Sequence, residues 1–550
     1  MDNIDDLFRR FEQLNEIGAS LSHERDIDKL LENILLAAKT ITRADGGTLY
    51  RVTEDEHNLR FEILRNDTLK IAMGGTSGNA IPFPLLALRT EAGEENNSMV
   101  AAYAAIHQKT VNIADAYQAA GFDFSGTRKF DERTGYHSQS FLTVPMKNHE
   151  NEVIGVLQLI NSLDPGTHQV VPFSAADQRL AESLASQAAI ALTNRQLISQ
   201  LEALFESFIH LINVAIDEKS PYTGGHCERV PALTMMLAEA VNETKAGPLA
   251  DFNMTDKDRY ELKIAGLLHD CGKVTTPVHV VDKATKLHTL FDRMNLVDTR
   301  FEVLKRDAEI AMLRAQLALR PQQHAAEETK LAQACAARLA SLDDDRAFLQ
   351  HANIGGEAMT PADQERVMHI GTGYHWTGID GKRQNFLTAD ELENLMIRAG
   401  TLTQAERGII NHHIVATIRM LEQLPWPKHL KNVPEYAGGH HERMDGKGYP
   451  RGLKREQMSI QARVMGIADI FEALTARDRP YKPGKTLSES LHILGKFKLN
   501  GHIDPDLFDV FVRQKVFLKY AEAFLDPDQL DVVDEANIPG YDAGAIGKTL

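Results

Sequence analysis

The sequence predicts a multidomain protein with an α/β N-terminal domain built on an antiparallel sheet, a long connecting helix and a mostly all-α C-terminal domain with a large insertion. Three observations predict this order. With 550 residues the chain is too long for one ordinary hydrophobic core. Strand-like and helix-like patterns mix up to about residue 165, whereas the pattern is helical from Ser174 onward.

The composition is that of a soluble globular protein from a reducing cytoplasm. Hydrophobic residues make up 43% of the chain, and no apolar run approaches the about 18 residues of a transmembrane helix. The first residues, MDNIDDLFRRFEQL, lack the apolar segment of a secretory signal. We therefore expect a cytoplasmic protein with no membrane span. Its three scattered cysteines are too few for a disulfide framework: Cys227, Cys271 and Cys335.

The formal net charge of -17 argues against a nucleic-acid polymer as a partner. Sequence-independent binding of nucleic acid over a broad surface requires a basic face. A small anionic ligand remains compatible with this charge if cations or metals gather in one pocket.

The first domain follows an amphipathic helix at residues 1–24. Apolar side chains recur there at helical spacing: Leu7, Phe11, Leu14 and Leu21. Farther on, Ser140–Met146 and Glu152–Asn161 read as strands joined through the polar turn KNHEN. Their period-two apolar pattern predicts a twisted antiparallel sheet with one buried face.

Residues 196–218 are predicted to form a connecting helix. Apolar residues alternate steps of four and three, as in a coiled-coil seam: Leu197, Leu201, Leu204, Phe208, Leu211 and Ala215. The seam indicates a dimer stem and hence a homodimer. The alternative interpretation is a core helix of the second domain.

Three segments of the second half have simpler patterns. The charged, Ala-rich residues 300–345 suit an antiparallel helix pair broken at Arg320-Pro321. The turn-rich stretch Gly371–Phe386 predicts a loop or a short hairpin. The tail, residues 531–550, has little to pack with.

Histidine and aspartate residues recur in helical contexts of the second half. His440 and His441 are adjacent, so on a helix they would point about 100° apart and could not both face one core. His269 and Asp270 follow the apolar run IAGLL, where burying both without a partner is costly. Each residue alone reads as a polar helix position or a cap. Together they favour a metal site of mixed nitrogen and oxygen ligands: His226, His269, Asp270, His413, His440, His441 and Asp469.

The sequence HDxGK at 269–273, followed by HHERxDGxGYP at 440–450, resembles the HD-GYP family of cyclic dinucleotide phosphodiesterases, a branch of the HD superfamily. The resemblance covers most of residues 205–530. It implies that the seven His and Asp residues are metal ligands and that His412, the neighbour of His413, is not. It also implies that Lys273 contacts the scissile phosphate and that three further residues hold the substrate: Tyr449, Arg479 and Lys482.

The resemblance implies hydrolysis of cyclic di-GMP to linear pGpG by metal-activated hydroxide, with Asp270 and Lys273 as catalytic residues. Whether hydrolysis continues to GMP stays open. Some family members hold three metals and carry a Glu four residues before the first ligand His, but this chain has Tyr222 there. Two divalent ions, iron or manganese, are therefore expected. The alternatives are a phosphodiesterase for another cyclic dinucleotide, such as 3',3'-cyclic GMP-AMP, and a non-catalytic cyclic-dinucleotide-binding signalling protein.

Two details qualify the resemblance. The family's usual KPGxL element is represented by VVDKATKL at 280–287, and its continuation appears only at LTQAER, residues 402–407. Residues 288–400 are therefore an insertion that could form a lid, a dimer contact or a platform for protein partners. Cys227 and Cys271 each follow an expected ligand, and we interpret them as packed thiols because neighbouring helix residues point away.

The segments TRKFDERTGYHSQSFLTVPM and EVIGVLQLIN resemble a GAF domain, a sensory α/β module, over residues 25–195. RKFDE, residues 128–132, is similar to the NKFDE signature of cyclic-nucleotide-binding GAF domains, but Arg128 stands in place of the Asn. We prefer to interpret it as a salt-bridged element that holds the fold. The resemblance implies a sensor that regulates the second domain and binds a ligand that the sequence does not identify.

Overall fold

The computed structural model describes residues 2–21, 24, 26–219, 225–319, 324–356, 358–378, 380–477 and 484–542. The chain divides into two compact units, Met1–Phe205 and Glu206–Leu550. None of the helices in these stretches is long and apolar enough to cross a membrane.

The first unit is an antiparallel sheet with helices, as the sequence predicts. Strand order is β3-β2-β1-β7-β6-β5, with β4 paired to β2 and β8 paired to β7. The elements are α1 (Asp2–Leu21), α2 (Ile27–Thr42), β1 (Ala44–Val52), β2 (Asn58–Asn66), β3 (Ile71–Gly74), β4 (Leu86–Ala87), α3 (Val100–His107), β5 (Val111–Ile113), α4 (Ser125–Thr134), β6 (Phe141–Lys147), β7 (Val153–Leu163), β8 (Val170–Val171) and α5 (Ala175–Lys219).

The prediction of a sheet with one buried face is wrong for its central strands. Along β6, Leu142 and Val144 enter the main core of the unit, in which α2 and α5 bury their apolar faces. Phe141 packs on the opposite face, in a second cluster with Val100 of α3. Because α3 is a short helix of Val, Ala and Ile residues, it covers the face that the alternating pattern assigned to solvent.

The signature-like segment RKFDE lies in α4 and holds the fold. The carboxylate of Asp131 is buried and accepts hydrogen bonds from the backbone N–H and hydroxyl of Ser138, at 2.7 and 2.8 Å, and from the hydroxyl of Tyr117 at 2.8 Å. The predicted structural role is thus filled by hydrogen bonds of Asp131 rather than by a salt bridge.

The predicted connecting helix is the second half of α5, which is longer than expected. Its first half packs Leu184 and Ala188 in the core of the first unit. Farther along, the seam residues from Leu197 to Leu211 are exposed, and Leu201 reaches 67%. Ile209 and Ile216, which lie off the seam, are buried instead. The seam is therefore not the core-facing side of this helix.

The second unit is mostly helical. Several of its helices begin at a Thr whose hydroxyl accepts a hydrogen bond from the N–H three residues on, in capping boxes that fix where the helix starts. The elements are α6 (His226–Asn242), α7 (Asp256–Leu268), α8 (Val278–Val281), α9 (Met294–Leu317), α10 (His324–Ile354), α11 (Pro361–Gly373), β9 (His375–Thr377), β10 (Arg383–Asn385), α12 (Ala389–Leu395), α13 (Gln404–Glu422), α14 (Val433–Gly438), α15 (Ile460–Thr475), α16 (Leu487–Leu499), α17 (Pro505–Arg513) and α18 (Val516–Phe524).

The insertion forms a helical layer with its own core. Helices α9 and α10 are antiparallel, since Arg346 binds Asp298 at 2.8 Å while Lys305 binds Asp343 at 2.8 Å. This confirms the predicted helix pair, although Arg320-Pro321 lies outside the described residues. The predicted hairpin is β9 paired to β10. The core that these elements share consists of insertion residues from Met294 to Leu395, together with Leu287 just before the insertion.

The two ends of the insertion meet at one point, which we call the clasp: Lys283, Thr401 and Glu406. The ammonium of Lys283 donates to Glu406 at 2.7 Å and to the amide oxygen of Asn394 at 2.6 Å. The hydroxyl of Thr401 donates to the carbonyl of Lys283 at 2.8 Å. The clasp therefore closes the insertion where it leaves and rejoins the helical fold.

The expectation that the tail has little to pack with is wrong for residues 531–542. Ile538 is only 5% exposed, and the ammonium of Lys498 in α16 donates to the carbonyl of Gly540 at 2.7 Å. Asp531 accepts from the N–H of Ser488, also in α16, at 2.9 Å. Ile538 is the buried apolar anchor of this segment, whereas Val532 is exposed. The remaining tail residues, 543–550, lie outside the described part.

Candidate metal centre

The structure brings the seven predicted ligands together from five segments of the second unit. They lie where helices begin, where they end, or on a helix face: His226 begins α6, His269 and Asp270 follow α7, His413 lies in α13, His440 and His441 follow α14, and Asp469 lies in α15.

Asp270 lies between two groups of imidazoles. Its Oδ2 is 3.0 Å from Nε2 of His226 and 3.3 Å from Nε2 of His269. Its Oδ1 is 3.3 Å from Nε2 of His413. Each group of three donors could hold an ion: His226 with His269 and Asp270, and His413 with His440 and His441. One carboxylate therefore offers one oxygen to each side.

Asp469 completes the first group. Its Oδ1 lies 3.5 Å from Nε2 of His226 and 3.9 Å from Nε2 of His269. In the second group, Nε2 of His413 and Nε2 of His441 are 3.3 Å apart. His412 is exposed on the other side of α13, as the sequence predicts.

Three of the imidazoles are oriented by the carbonyl three residues earlier. Nδ1 of His269, His413 and His440 lies 2.6–2.7 Å from those oxygens, which belong to Gly266, Ile410 and Ala437. A proton on each Nδ1 leaves the Nε2 lone pair facing the centre, the usual way in which metal-binding histidines are held.

The donor set fits a cation. Nε2 of His440 is buried, and no hydrogen-bond partner for it is found among the described residues. An unpaired buried nitrogen is costly unless it has a ligand. Imidazoles and carboxylates at this density suit divalent transition metals.

Glu472 is the functional residue that the sequence interpretation missed. Its Oε2 lies 2.6 Å from Nδ1 of His226, and its Oε1 accepts from Nε of Arg229 at 2.8 Å. Glu472 therefore orients the ring of His226, as backbone carbonyls orient the rings of His269, His413 and His440. Its position one turn after Asp469 places both carboxylates on one face of α15, and this spacing is the signal that could have found it.

The protonation states divide the histidines. Burial lowers the pKa of His226, but hydrogen bonds with Asp270 and Glu472 outweigh burial and raise it to about 9. Burial lowers the pKa of His441 to about 4 and holds that of His440 well below its usual value. At neutral pH His440 and His441 are thus neutral and ready to ligate, whereas a cation must displace a proton from His226.

Lys273 contacts Asp270, a predicted metal ligand, and does not line the cavity described below. Its ammonium lies 2.5 Å from Oδ2 of Asp270. Burial opposes both charges, but the attraction between them raises the pKa of Lys273 and lowers that of Asp270 well below its usual range. The resemblance implies that Lys273 contacts phosphate, and this role stays a prediction.

Gly272 allows the HD segment to lie directly against α13. A Cβ at this position would be 2.0 Å from the carbonyl oxygen of His413 and 2.6 Å from the backbone nitrogen of Thr417. The Gly272 N–H donates to the hydroxyl of Thr417 at 2.9 Å. The glycine of HDxGK is therefore required for the approach that brings Asp270 to His413.

A cavity of about 430 Å³ opens beside the second group. His441, Tyr449 and Asp469 line its inner side. The Tyr449 ring stacks on His441 with centroids 4.8 Å apart, and burial raises the pKa of its hydroxyl to about 12, so that it stays a donor. Three cationic side chains lie around the rest: Arg443, Lys447 and Lys485.

Two predicted substrate residues, Arg479 and Lys482, lie outside the described residues, as does Tyr222.

The two glycines at the GYP turn, Gly446 and Gly448, are needed for different reasons. Gly446 has a φ of 77°, which only glycine adopts readily. A Cβ on Gly448 would be 2.5 Å from Cα of Glu442. Glycine at this position therefore allows the backbone to pass close to Glu442.

The cysteines do not compete for metal. Cys227 and Cys271 are buried, and burial raises the pKa of both thiols, that of Cys271 to about 11. Thiols that stay protonated are poor ligands, which supports their interpretation as packed side chains.

Comparisons with known proteins agree with this architecture. The GAF domain family matches residues 26–192, and the HD domain family matches two segments, 223–340 and 388–507. The interval between the two HD segments falls inside the predicted insertion.

Several curated relatives match the HD region. A cyclic di-GMP phosphodiesterase of Pseudomonas aeruginosa is 38% identical over 119 residues, which cover 22% of this chain and 28% of the relative. A 3'3'-cGAMP-specific phosphodiesterase of Vibrio cholerae is 37% identical over 121 residues, 22% of this chain and 27% of the relative. A cyclic di-GMP phosphodiesterase of Thermotoga maritima is 34% identical over 122 residues, 22% and 32% of the two chains.

The aligned segment spans less than a third of each of these relatives. The similarity concerns the helical unit that carries the histidine and aspartate cluster. The chain thus contains a GAF domain followed by HD domain segments, and relatives named cyclic di-GMP and 3'3'-cGAMP phosphodiesterases cover the HD region.

Proposed function

We propose that the protein is a metal-dependent phosphodiesterase that hydrolyses cyclic di-GMP to linear pGpG. The observation that carries the proposal is the position of Asp270, which offers one carboxylate oxygen to each of two groups of imidazoles. Such a carboxylate suits a two-metal hydrolytic site, whose ions lie about 3.5–4 Å apart.

These seven side chains would hold two divalent ions. Their mixture of nitrogen and oxygen donors suits iron or manganese. His226, His269, Asp270 and Asp469 would hold one, and Asp270 with His413, His440 and His441 the other. When bound, such ions supply Lewis acidity toward phosphate oxygens and lower the pKa of water.

The side chains around the cavity have separate tasks. Arg443, Lys447 and Lys485 offset the charge of an anionic substrate, although the whole chain has a net charge of -17. Tyr449 donates a hydrogen bond and offers a face for stacking. Lys273 neutralises charge beside Asp270, and a phosphate that enters would share its ammonium.

The assignment extends to the organisation of the chain. Residues 25–195 form the GAF sensor, 196–218 connect it, and 205–530 form the phosphodiesterase domain with the 288–400 insertion. The exposed seam from Leu197 to Leu211 supports a homodimer, since exposed apolar residues at heptad spacing are covered when two helices pair. The insertion offers a platform for protein partners.

The test is turnover of cyclic di-GMP by protein purified anaerobically and loaded with iron or with manganese. Metal content per chain is measured on the same sample. We expect two ions per chain and a linear product. Asp270→Ala should lose both, whereas Asp251→Ala, an exposed residue of the same unit, should behave as the unchanged protein. Full loading without turnover would instead favour a binding protein, and absence of bound metal would refute the assignment.

A second substrate is favoured by one observation. The Vibrio cholerae relative, named as specific for 3'3'-cGAMP, is 37% identical to this chain, almost as similar as the cyclic di-GMP relative. Turnover of both dinucleotides by one preparation gives the ratio that decides between them. A higher rate with 3'3'-cGAMP would replace the first assignment.

A further inference from the structure

The carboxyl-terminal end of α5 contacts the segment that carries Lys273. We call residues 270–276 the HD turn, which comes after α7 and includes one 3-10 turn, Cys271–Thr275. The ammonium of Lys219, the last residue of α5, donates to the carbonyl of Val274 at 2.5 Å and to the carbonyl of Lys273 at 3.3 Å. Both hydrogen bonds lie within the second unit.

The two carbonyls lie at the carboxyl end of the 3-10 turn, where a cation is favourable. The last carbonyls of a helix have no partner within it, and the hydrogen bonds of a 3-10 helix are less well aligned than those of an α-helix. A lysine placed there donates to these oxygens and offsets the negative end of the helix dipole. Lys219 therefore holds the end of the HD turn closed.

The HD turn has a second support, on α13. The N–H of Gly272 donates to the hydroxyl of Thr417 at 2.9 Å, and Thr417 is fully buried. Lys219, by contrast, is only half-buried. A contact with few buried neighbours opens at a lower cost than one inside a packed core, so the support from α5 is the one that can be released while the fold stays intact.

The end of α5 is itself fixed within the second unit. Ile209 and Ile216 are buried there. Asp217 accepts a hydrogen bond from the N–H of Gly225, the residue before His226, at 3.3 Å. Because the backbone of α5 is held, the side chain that follows has a defined starting point and loses less freedom when it binds the HD turn.

We propose that Lys219 is a positioning residue, which fixes the HD turn so that the ammonium of Lys273 stays at Asp270. That ammonium lies 2.5 Å from Oδ2 of Asp270, and the two residues are three positions apart, so their distance depends on the shape of the turn between them. If the carbonyls lose Lys219, the turn can open at Lys273, while the five imidazoles lie outside it and keep their places.

A displacement of the end of α5 would reach Lys273 through the same two hydrogen bonds. The expected effect on turnover rests on the proposed phosphodiesterase function, whereas the expected effect on the HD turn does not depend on it.

The experiment compares variants of the full chain. Lys219→Met keeps the length of the side chain and removes its donors, whereas Lys219→Arg keeps a cationic donor. Glu218→Gln, a change at the exposed neighbouring residue, is the matched control. Circular dichroism and metal content are measured first. Amide hydrogen exchange then reports the opening of the HD turn, and initial rates with cyclic di-GMP give kcat and KM.

In Lys219→Met we expect the amides of the HD turn to exchange roughly tenfold faster and kcat to fall roughly tenfold, because a small displacement of Lys273 is enough to slow the reaction. Metal content and KM should be unchanged, since neither the imidazoles nor the side chains around the cavity are altered. Lys219→Arg should restore most of both losses, and Glu218→Gln should behave as the unchanged protein.

Equal exchange in Lys219→Met and Glu218→Gln would overturn the proposal, as would the absence of rescue in Lys219→Arg. Loss of metal together with activity would also overturn it, since Lys219 would then support the whole centre. Should Lys219→Met fail to fold, Lys219→Gln, which keeps a neutral donor, should show a smaller change in the same direction. If the metal-loaded unchanged protein has no turnover, the proposed function fails, and the exchange comparison still decides the role of Lys219.

Discussion

The metal centre and a cavity of about 490 Å³ in the first unit differ in how their polar atoms are satisfied. In the centre, Nε2 of His440 is buried without a hydrogen-bond partner among the described residues, and the neighbouring rings turn their own Nε2 atoms toward Asp270. In the cavity of the first unit, Tyr136 and Gln158 are bonded to the protein itself. The first arrangement fits a cation, whereas the polar groups named in the second are already bonded within the protein.

The two regions differ in whether buried polar atoms have hydrogen-bond partners within the protein, and this difference indicates which kind of ligand each region suits. Both regions contain charged residues within a folded interior, so that burial and charge alone do not distinguish them. The distinction lies in whether the protein completes the hydrogen bonds of each group.

The largest effect is expected where the backbone itself holds the metal centre together. Gly272→Ala should lower the free energy of unfolding by about 3 kcal/mol and weaken metal binding by more than about a hundredfold, because the new methyl group would overlap the His413 carbonyl. Chemical denaturation and metal titration measure the two effects. Gly408→Ala in α13, where nothing lies near the added Cβ, is the control and should not lose stability. Equal behaviour of the two variants would contradict the packing argument.

Glu472→Gln should have the next largest effect. The change keeps the size of the side chain but weakens the orientation of His226, so metal affinity should fall about 10–100-fold. The secondary structure should be unchanged by circular dichroism. Glu489→Gln, an exposed residue of the same unit, provides the comparison. Undiminished affinity in Glu472→Gln would remove this residue from the site.

The stability of the metal-free protein should depend on pH through His226. Its pKa is raised to about 9, so its contribution is full below the unfolded value of about 6.5 and is lost as pH rises through 9. The slope should approach about 1.4 kcal/mol per pH unit. His441, with a pKa lowered to about 4, acts in the opposite sense and costs stability as pH falls below about 6.5.

Denaturation in the presence of a chelator, at a series of pH values, measures the free energy of unfolding on both limbs of the pH profile, the acidic limb of His441 and the alkaline limb of His226. His226→Gln should flatten the limb between pH 6.5 and 9 and leave the acidic limb in place. A slope that persists in this variant would show that another group titrates there.

The sequence predicted the order of elements and the gathering of the ligands, because both follow from local patterns. Alternation of apolar residues identified the strands at 140–146 and 152–161, and the family resemblance carried by the HD and GYP segments implied the full set of imidazoles. The role of Glu472 was not predicted, since a carboxylate on a helix ordinarily reads as a surface residue. Its partner His226 is 246 positions away, and only the fold brings the two together.

Two other differences have the same origin. The second buried face of the sheet depends on α3, whose run of mostly Ala and other apolar residues from Val100 to Ile106 gives no amphipathic signal about the element it covers. The packing of residues 531–542 depends on Ile538, whose burial no periodic pattern in this short stretch indicates. Single long-range contacts leave no periodic signature, so the sequence did not reveal them.

The clasp has a consequence for how this chain could be re-engineered. Lys283 and Glu406 hold the two ends of the insertion together. The rest of the fold therefore has to span only a short distance between these ends, whatever the length of the insertion. The entropy of closing a loop grows only slowly with its length. Residues 288–400 can therefore be treated as a domain inserted at two neighbouring points of the fold. Another domain with closely spaced ends could replace them while α13 keeps His413 in place.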